Sequence, residues 1–534
     1  MTVHEARTGG TIRTVGRAMV APFLILLVPY WLGVLEGHLV MMIGHVAMYV
    51  LMAAAMLRRH DEYVHHHRFV IRWKWVRTTA VVLVALLIPG GVSAVSTIGR
   101  FGDQYRARPD AVTVRPAAKT HDPAKPTVAF LTGSMGTNAA DMLGPYEVLA
   151  STGRFNTYVV SPGSRLIPLT GGLDIVPDLT FDELGRLLGE RRDTLDAVII
   201  PALQPPAPAE SDSISAWLRQ QSAAGALTVS VCNGARTLAG SGLLDGRTAT
   251  SHWIRMSGLR TDFTKVNWES GLRYVDDGNV ITTAAVLSGI DGALRIVERL
   301  TDTDTARAAA RSVHWRHYSP GAPARIPTSG PEPADVVAAL NSSYQTRPST
   351  IGVRLTDGIG ELELASVFNS YTEQSMIGRT VAVGDGPIHS KHGLTFVPRS
   401  TLAAAADGLD RLLVPGLDAA RRQVAGAGGL RPEYVHTTEE FAFDPAMRDI
   451  ARTYDVQTAR FAAKTLEYPV MDVKLTGSAW PWTETIVPVL LALLGVAVAM
   501  ATGAVVRRVR AAGRRPEPAA AVAESAEPLG SAAG

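Results

Sequence analysis

Residues 227–242 read Leu-Thr-Val-Ser-Val-Cys-Asn-Gly-Ala-Arg-Thr-Leu-Ala-Gly-Ser-Gly. The apolar run at the start predicts a buried strand, and a helix is expected to follow as far as Gly242. A cysteine at a tight strand-to-helix turn has the layout of a nucleophile elbow, which exposes the side chain at the carboxyl edge of a sheet. Gly234 lets neighbouring backbone approach, and the helix N-terminus favours negative charge. We therefore predict that Cys232 is a nucleophile with a lowered thiol pKa, the alternative being an inert buried cysteine.

Strands and helices alternate on both sides of this turn. Short apolar runs predict strands, and longer mixed stretches between them predict helices. The predicted strands are 128–131, 157–160, 196–200 and 280–283, and the predicted helices are 140–150, 213–223 and 289–300. This alternation is typical of a parallel sheet covered by helices on both faces. The fold class predicted for the region is therefore α/β.

The composition excludes several classes of protein. The chain has 534 residues, of which 46% are hydrophobic and 19% charged, and Lys and Arg outnumber Asp and Glu by only 52 to 49. That balance argues against a protein defined by nucleic-acid binding. Cys232 is the single cysteine, which excludes an intrachain disulfide framework and any multi-cysteine zinc site. No cofactor is expected.

Four apolar runs are long enough to span a bilayer, which takes about 20 residues. They cover residues 19–35, 39–57, 78–98 and 486–506. Arg and Lys are concentrated before the first run, between the second and third runs, and after the fourth. Because basic segments favour the cytoplasmic side, we predict a multi-pass protein of the cell membrane with both termini in the cytoplasm and the main domains outside it.

Histidines in the N-terminal region are candidate ligands or functional groups. His65-His66-His67 lies in the basic loop after the second run, and adjacent side chains of this kind do not face one another on a helix. No acidic or cysteine partner has the usual spacing, so we interpret the segment as a solvated loop and predict no metal site. His45 lies inside the second run, where an ionisable group is a functional candidate.

The region between the third and fourth runs contains an internal repeat. Three blocks of its first half recur in the same order, at similar spacing, in its second half. The matched blocks are Leu131-Thr132 with Gly136 and Asp141 against Leu355-Thr356 with Gly360 and Glu363, Gly171–Pro177 against His392–Pro398, and Asp196–Pro201 against Asp410–Pro415. We interpret them as two copies of one fold, the alternative being a chance match of common α/β patterns. The second copy has no cysteine and is a poor candidate for nucleophilic chemistry.

These observations divide the chain into seven segments. They are an N-terminal membrane region with three transmembrane helices (1–100), a linker (101–126), the domain with the cysteine elbow (127–318), a second linker (319–349), the degenerate second copy (350–478), a transmembrane helix (479–508) and a disordered tail (509–534). The tail is rich in Ala, Pro, Glu and Ser, a composition that does not form a core.

Two stretches carry a resemblance to a known family. Val128 to Ala150, which ends Asp-Met-Leu-Gly-Pro-Tyr-Glu-Val-Leu-Ala, resembles the first strand and helix of the ThiJ/PfpI family of the class I glutamine amidotransferase-like superfamily. Ser230 to Trp253 is similar to the elbow of that family, and Ser288-Gly-Ile-Asp291 extends the match. The branch resembled most includes the isonitrile hydratases and the amidase-like domains of AraC-type regulators. The resemblance is strong over about residues 127–300 and weak over 350–418.

The resemblance implies two flavodoxin-like sandwiches, in addition to the four transmembrane helices, with Cys232 as the nucleophile. Asp141 would be the carboxylate near the thiol, where an acid can accept or relay a proton; a helix N-terminal Asp stabilised by the dipole is the alternative. His252 is the candidate base, since Cys–His pairs activate thiols, although its motif recurs without a clear catalytic role. Glu147, on the helix after Asp141, is expected to support that residue.

The sequence departs from the family pattern around the elbow. The family usually has a Gly-Gly pair after the strand that ends at Pro201, which supplies N–H groups to an oxyanion, but here the pair is Ala202-Leu203. Asn233 stands where protease-like members often have His, which argues against a protease-type Cys–His dyad. These changes weaken the prediction of strong acyl-transfer catalysis.

Two functions of different class are compatible with these residues. The first is a Cys-dependent hydratase or amide hydrolase acting on a small molecule outside the cytoplasm. The alternative is a non-catalytic membrane protein that senses a ligand, or oxidation, at Cys232. A structural role for the second copy, as a pairing partner of the first, is a third hypothesis. The expected partners are a small-molecule substrate or ligand and the membrane, not nucleic acid, with the copies pairing within one chain or in a homodimer.

Overall fold

The computed structural model describes residue 48 and residues 73–512, apart from 109–112, 164–165, 322, 324, 346, 425, 427–428 and 470–472. The chain divides into two compact units, Met1–Leu83 and Val84–Gly534. Nearly all described residues belong to the second unit, which holds both predicted α/β regions. Apart from residue 48, the first two apolar runs lie outside the described residues, as do His45, the His65–His67 loop and the tail after residue 512.

Seventeen strands are present in the described part of the chain. They are β1 (Thr127–Leu131), β2 (Asn156–Ser161), β3 (Ile167–Leu169), β4 (Leu173–Val176), β5 (Leu179–Thr180), β6 (Ala197–Ile200), β7 (Leu227–Ser230), β8 (Thr248–Ala249), β9 (Asn267–Trp268), β10 (Tyr274–Asp277), β11 (Val280–Thr283), β12 (Ser349–Arg354), β13 (Gly378–Val383), β14 (Ile388–His389), β15 (Thr395–Val397), β16 (Arg411–Val414) and β17 (Pro432–Tyr434). The predicted strands of the first half are confirmed, each to within one residue at either end.

Helices connect most of these strands. They are α1 (Trp73–Gln104), α2 (Ala139–Ser151), α3 (Phe181–Arg191), α4 (Pro208–Ala223), α5 (Gly234–Gly240), α6 (Met256–Asp262), α7 (Ser288–Leu300), α8 (Thr303–Ser312), α9 (Val336–Tyr344), α10 (Glu361–Asn369), α11 (Leu402–Ala405), α12 (Leu417–Arg422), α13 (Phe443–Thr453), α14 (Val456–Leu466) and α15 (Trp482–Ala512). The predicted helices 140–150, 213–223 and 289–300 lie within α2, α4 and α7.

The first half is built on a seven-stranded sheet. Its strand order is β10-β11-β7-β6-β1-β2-β5, and every pair is parallel except β10 with β11. Alternate residues of β1 point to opposite faces: Phe130 packs in one core cluster, and Leu131 packs in another with Trp217 of α4. The predicted parallel sheet with helices on both faces is therefore confirmed. Because β7 lies inside the sheet, the segment after Ser230 emerges at the centre of its carboxyl edge.

Two four-stranded sheets and the short pair of β8 with β9 accompany the seven-stranded sheet in the described residues. The order β13-β12-β16-β17 forms a four-stranded parallel sheet, and β14-β15-β4-β3 forms an antiparallel sheet with two strands from each half. In the β4–β15 pair, Ile175 lies opposite Phe396. Gly144 of α2 faces both α7 and α10, because a Cβ there would lie 3.6 Å from Ile290 and from Leu362. One hydrophobic core thus runs through both halves.

Two helices in the described residues are long and apolar enough to cross a membrane. They cover Val81–Gln104 and Trp482–Val505, which are the third and fourth predicted runs. Only 12% and 6% of their apolar windows are buried inside the protein, so they do not resemble core helices. They approach closely, since a Cβ on Gly495 would lie 2.6 Å from Cα of Ala85. Within the described residues the structure therefore provides two of the four predicted spans as candidates, and the first two runs, which lie outside those residues, stay a prediction.

The predicted linker 101–126 is more structured than its polar composition indicates. The helix α1 continues through Gln104, and a partly buried lysine anchors the segment that follows. Lys119 Nζ lies 2.6 Å from Oδ2 of Asp178 and donates to the hydroxyl of Tyr146 at 2.9 Å and the carbonyl of Thr157 at 3.0 Å. A polar segment packs here because its charge is paired and hydrogen-bonded on burial.

Candidate active site

The cysteine lies in a tight turn between β7 and α5. Cys232 has a backbone φ of 56°, in the left-handed region that favours glycine, and 7% of the residue is exposed. A Cβ on Gly234 would lie only 1.9 Å from the carbonyl oxygen of Ile200 at the end of β6. The turn therefore packs directly on the neighbouring strand, so the elbow geometry is present and requires glycine at position 234.

Asp141 lies beside this thiol. It is in the first turn of α2, and its Oδ2 accepts a hydrogen bond from the backbone N–H of Ala202 at 2.9 Å. The Cys232 thiol, a weak donor, interacts with the same carboxyl group, whose Oδ1 has no partner of ordinary hydrogen-bond geometry within the described residues. The structure thus brings together two of the three predicted site residues, Cys232 and Asp141.

The electrostatic setting of the thiol differs from the prediction. Burial raises the pKa of Cys232 well above its ordinary value, and the negative charges of Asp141 and Glu373 raise it further. The backbone N–H of Asn233 and the charge of Arg255 lower this pKa by less. Burial also raises the pKa of Asp141 well above its ordinary value. The predicted low-pKa thiolate is therefore wrong, because burial among acids favours a neutral thiol beside a neutral carboxyl group.

A second acid reaches the site from the other half of the chain. Glu373 follows α10, and its Oε2 accepts hydrogen bonds from Nδ2 of Asn138 and from the hydroxyl of Tyr105, both at 2.8 Å. Asn138 also caps α2, since its Oδ1 accepts from the N–H groups of Ala140 and Asp141. Sequence reasoning missed Glu373 and Tyr105 because neither belongs to a motif, and only the fold of the second half brings them to Asp141.

Tyr105 connects the site to the apolar helix α1, which ends one residue before it. Its hydroxyl accepts a hydrogen bond from Oγ1 of Thr170 at 3.1 Å. Its ring packs on Gly136, where a Cβ would lie 2.6 Å from Cδ1 of the ring and where φ is 131°. The end of α1 is therefore held within the hydrogen-bond network of Asp141 and Glu373.

Changing Glu373 to Gln is expected to speed alkylation of Cys232. Loss of this negative charge lowers the thiol pKa, and a shift of one unit raises the thiolate fraction, and hence the rate, about tenfold. The rate of reaction with iodoacetamide, followed against pH in the full chain, measures the change. Glu439→Gln is the matched control, because Glu439 is exposed and pairs with Arg421. Equal rates in the two variants would contradict the electrostatic role of Glu373.

His252 has backbone partners on both ring nitrogens. Its Nε2 donates to the carbonyl of Thr465 at 2.8 Å, and its Nδ1 accepts from the N–H of Ile254 at 3.2 Å. Burial lowers the pKa of His252 to about 4. These contacts join the segment after the elbow to α14, while a role of His252 as a base stays a prediction.

Replacing His252 with Gln is expected to make the protein less sensitive to acid. The folded-state pKa of about 4 lies below the ordinary value of 6.5, so the unfolded chain binds a proton that the folded chain does not. Stability is therefore lost as the pH falls from about 6.5 towards 4, by about 3 kcal/mol at most. Gln retains an N–H donor for Thr465 but does not titrate. Urea unfolding between pH 7 and 4.5 should show a smaller loss in His252→Gln than in the wild type or in His389→Gln, an exposed control; parallel losses would argue against this linkage.

The backbone around Asp141 leaves little provision for an oxyanion. The N–H of Ala202 is the group that a Gly-Gly pair would offer, and here it is bonded to Asp141. Glu147, six residues further along α2, accepts from the N–H of Leu362 in α10 at 2.6 Å. This contact of Glu147 is with the second half of the chain and not with Asp141. The expected support of Asp141 by Glu147 therefore stays a prediction.

This arrangement defines a class of protein: a flavodoxin-like α/β sandwich with a cysteine elbow after a central strand and an acid from the helix after the first strand. The sequence model of the DJ-1/PfpI family matches residues 126–299. An isonitrile hydratase from Pseudomonas putida is 30% identical over 212 residues, which cover 39% of this chain and 87% of that protein. The chain belongs to the DJ-1/PfpI family, and the ThiJ/PfpI resemblance of residues 127–300 is confirmed.

Other relatives and solved structures also match part of the chain. The protein DJ-1alpha of Drosophila melanogaster is 28% identical over 145 residues, 27% of this chain and 63% of that one. The crystal structure of a ThiJ/PfpI family protein from Pseudomonas syringae is 27% identical, with a TM-score of 0.31, covering 37% of this chain and 77% of that chain. An AraC family transcriptional regulator from Pseudomonas putida is 17% identical, with a TM-score of 0.31, covering 35% and 99%.

Proposed function

We propose that the first half is a Cys232-dependent hydratase of a small, neutral molecule of the isonitrile class, held at a membrane. The observation that carries this proposal is the buried pair of Cys232 and Asp141, in which burial favours the neutral form of both groups. Such a pair suits addition of a thiol to an uncharged substrate with transfer of one proton. The 30% identity to an isonitrile hydratase over most of that protein's length supports the substrate class.

The chemistry balances with these two side chains and one water. The sulfur of Cys232 bonds to the terminal carbon of R–N≡C, and a proton passes from the thiol through Asp141 to the same carbon, giving the thioimidate R–N=CH–S–Cys. Water then adds to that carbon and one of its protons moves to nitrogen, giving R–NH–CH(OH)–S–Cys. The carbon–sulfur bond breaks as the hydroxyl proton passes to sulfur. The products are R–NH–CHO and the free thiol, and Asp141 ends as it began.

Hydration is favoured over amide hydrolysis by the position of one N–H group. Attack on an amide carbonyl creates an oxyanion that needs N–H donors in place beforehand. The N–H of Ala202 already donates to Asp141. An isonitrile has no carbonyl oxygen, so attack by Cys232 develops no oxyanion in the first step.

The test is turnover of a small alkyl isonitrile by the full chain in detergent. Formation of the N-alkyl formamide, followed by NMR, is the expected result. No formamide after many equivalents of substrate would contradict the proposal.

We also propose the membrane arrangement predicted from charge. The candidate spans Val81–Gln104 and Trp482–Val505 flank both α/β regions, and arginines follow the second of them. With those arginines in the cytoplasm, the α/β regions lie outside it. The exposed apolar side chains of the two helices support contact with lipid.

The second half is, in our proposal, a degenerate copy that pairs with the first as subunits of a dimer do. In a two-fold pair, when residue i of the first copy contacts residue j of the second copy, residue j of the first copy also contacts residue i of the second. In the repeat, Asp174 corresponds to Thr395 and Val176 to Val397. In the β4–β15 ladder, Thr395 pairs with Val176 and Val397 pairs with Asp174. The pair between them is Ile175 with Phe396, which are themselves corresponding residues of the two copies. This symmetric register supports the proposal.

A second candidate function, ligand or redox sensing, is favoured by Tyr105. This residue joins the end of α1 to Glu373 and, through Asn138, to the helix that carries Asp141. A ligand or an oxidised thiol at Cys232 would thereby act on a segment continuous with a candidate span. Binding of an isonitrile that stabilises the chain without formamide formation would favour this alternative over catalysis.

A further inference from the structure

A second group of ionisable side chains converges where α2 packs against α10. Glu147 belongs to α2, Glu361 is the first residue of α10, and His392 lies between β14 and β15. Each offers one oxygen or nitrogen, and these three atoms lie within 4.8 Å of one another. Oε2 of Glu361 is 2.7 Å from Nδ1 of His392. Donors from distant parts of the chain thus meet at one point.

The charges at this point call for a cation. Glu361 is fully buried and Glu147 is 8% exposed, and two carboxylates this close repel each other unless a positive charge lies between them. Within the described residues, the only ion pair of either carboxylate is that of Glu361 with His392. A divalent ion would balance both carboxylates and leave His392 as a neutral third ligand.

The carboxylates are held in place by outer contacts of the kind that orient metal ligands. Oε1 of Glu361 accepts from the hydroxyl of Ser390 at 2.5 Å and from the N–H of His392 at 3.0 Å. Oε2 of Glu147 accepts from the N–H of Leu362 at 2.6 Å. One oxygen of each carboxylate is therefore fixed by these contacts, and the second oxygen of Glu361, Oε2, faces Nδ1 of His392.

The internal repeat offers a comparison within the same chain. The match of Asp141 with Glu363 places Glu147 opposite Asn369 and Glu361 opposite Ala139 in the repeat. The second matched block places His392 opposite Gly171. Asn369 makes the equivalent contact between the helices, since its Oδ1 accepts from the N–H of Ala140 at 3.4 Å. An amide therefore suffices for that contact. The acid at 147, the acid at 361 and the histidine at 392 go beyond what packing of the two helices requires.

We propose that Glu147, Glu361 and His392 bind a divalent metal ion of the zinc or manganese class at the junction of the two halves. Two carboxylates and one imidazole form a donor set that such ions accept. A pocket of about 290 Å³ adjoins Glu147 and is lined also by Leu362 and Lys391, so solvent reaches one side of the proposed site. This site is separate from Cys232, and the proposal does not depend on the reaction there.

Zinc binding to the full chain in detergent tests the site. The background protein carries Cys232→Ser and His65, His66 and His67 each changed to Gln, because a thiol and adjacent imidazoles are zinc-ligating groups that would complicate the stoichiometry. Calorimetry should give one Zn²⁺ per chain, with the affinity reduced at least tenfold in Glu361→Gln and in His392→Gln. The matched control is His389→Gln, three residues from His392, which should bind as the background does.

Two calorimetric results would overturn the proposal. One is no zinc binding by the background protein, and the other is equal affinity in the background, Glu361→Gln and His392→Gln. A measurement on the unaltered ligands guards against misfolded variants: Co²⁺ added to the background should give the visible absorption of a four- or five-coordinate site. Absorption of aqueous six-coordinate Co²⁺ alone would also overturn it. Isonitrile turnover is not a readout here, so its failure leaves this test unaffected.

Discussion

Replacing Cys232 with Ser is expected to lower kcat/KM for hydration of a small isonitrile by about 10³-fold or more, equivalent to ~4 kcal/mol of transition-state stabilisation. A serine hydroxyl fits the same turn, but it is a far weaker acid and nucleophile than a thiol. In this site its neighbour Asp141 is also buried and has a raised pKa, so it is poorly suited to activate a hydroxyl. Formamide production measured by NMR over a range of substrate concentrations gives the ratio.

Glu363, the carboxyl group at the matching position of the proposed second copy, provides the control for this result. Asp141→Asn should lower kcat/KM substantially, whereas Glu363→Gln should leave it near the wild-type value. Glu363 is at the corresponding place in the second half, where it accepts from the N–H groups of Gly360 and Leu417 and has no cysteine to serve. Turnover retained by Cys232→Ser would rule out the thiol as nucleophile. Equal losses in Asp141→Asn and Glu363→Gln would show that the assay reports stability rather than chemistry.

Changing Gly234 to Ala is expected to unfold the first half or lower its melting temperature by on the order of 10 °C, from a loss of about 4 kcal/mol. The new methyl group would lie 1.9 Å from the carbonyl oxygen of Ile200 and 3.0 Å from that of Pro201. Both are backbone atoms of the adjacent segment, so no side chain can rotate to relieve the overlap. The sheet and the elbow would have to separate, which also displaces Cys232.

Gly240 is the matched control because it lies at the other end of the same helix. A Cβ on Gly240 meets no atom within 4 Å, and alanine restricts the unfolded chain more than glycine does, so Gly240→Ala should be neutral or stabilising by about 0.5–1 kcal/mol. Thermal unfolding followed by tryptophan fluorescence distinguishes the two variants. A Gly234→Ala protein as stable as Gly240→Ala would contradict the close approach of α5 to β6.

The fold of the first half and part of its site could be predicted from local patterns. Apolar runs of strand length located β1, β2, β6, β7 and β11, because buried parallel strands need uninterrupted apolar residues. The small residues around Cys232 predicted the elbow, since only glycine permits such an approach of backbone to backbone. Asp141 was reached through family resemblance, and its placement beside the thiol depends on the pairing of β1 with β6.

Other features depend on contacts between distant parts of the chain. The direction of the thiol pKa shift was predicted wrongly because local features, a glycine turn and a helix start, favour a thiolate. Burial and the acids Asp141 and Glu373 outweigh them, and Glu373 is brought in by the second half. Tyr105 lies in a segment whose polar composition indicates only a linker, and no local pattern reveals a hydrogen bond to a glutamate 268 residues away.

The covalent joining of the halves fixes how the site responds to dilution. In a dimer of separate chains, an acid contributed by the partner is lost whenever the partner dissociates, so the site is complete only above a certain protein concentration. Here Glu373 and the β4–β15 ladder belong to the same molecule as Cys232. Their effective concentration at the site is set by the fold and not by the number of copies present. A cell holding a handful of these molecules would therefore still have every one of its sites fully assembled.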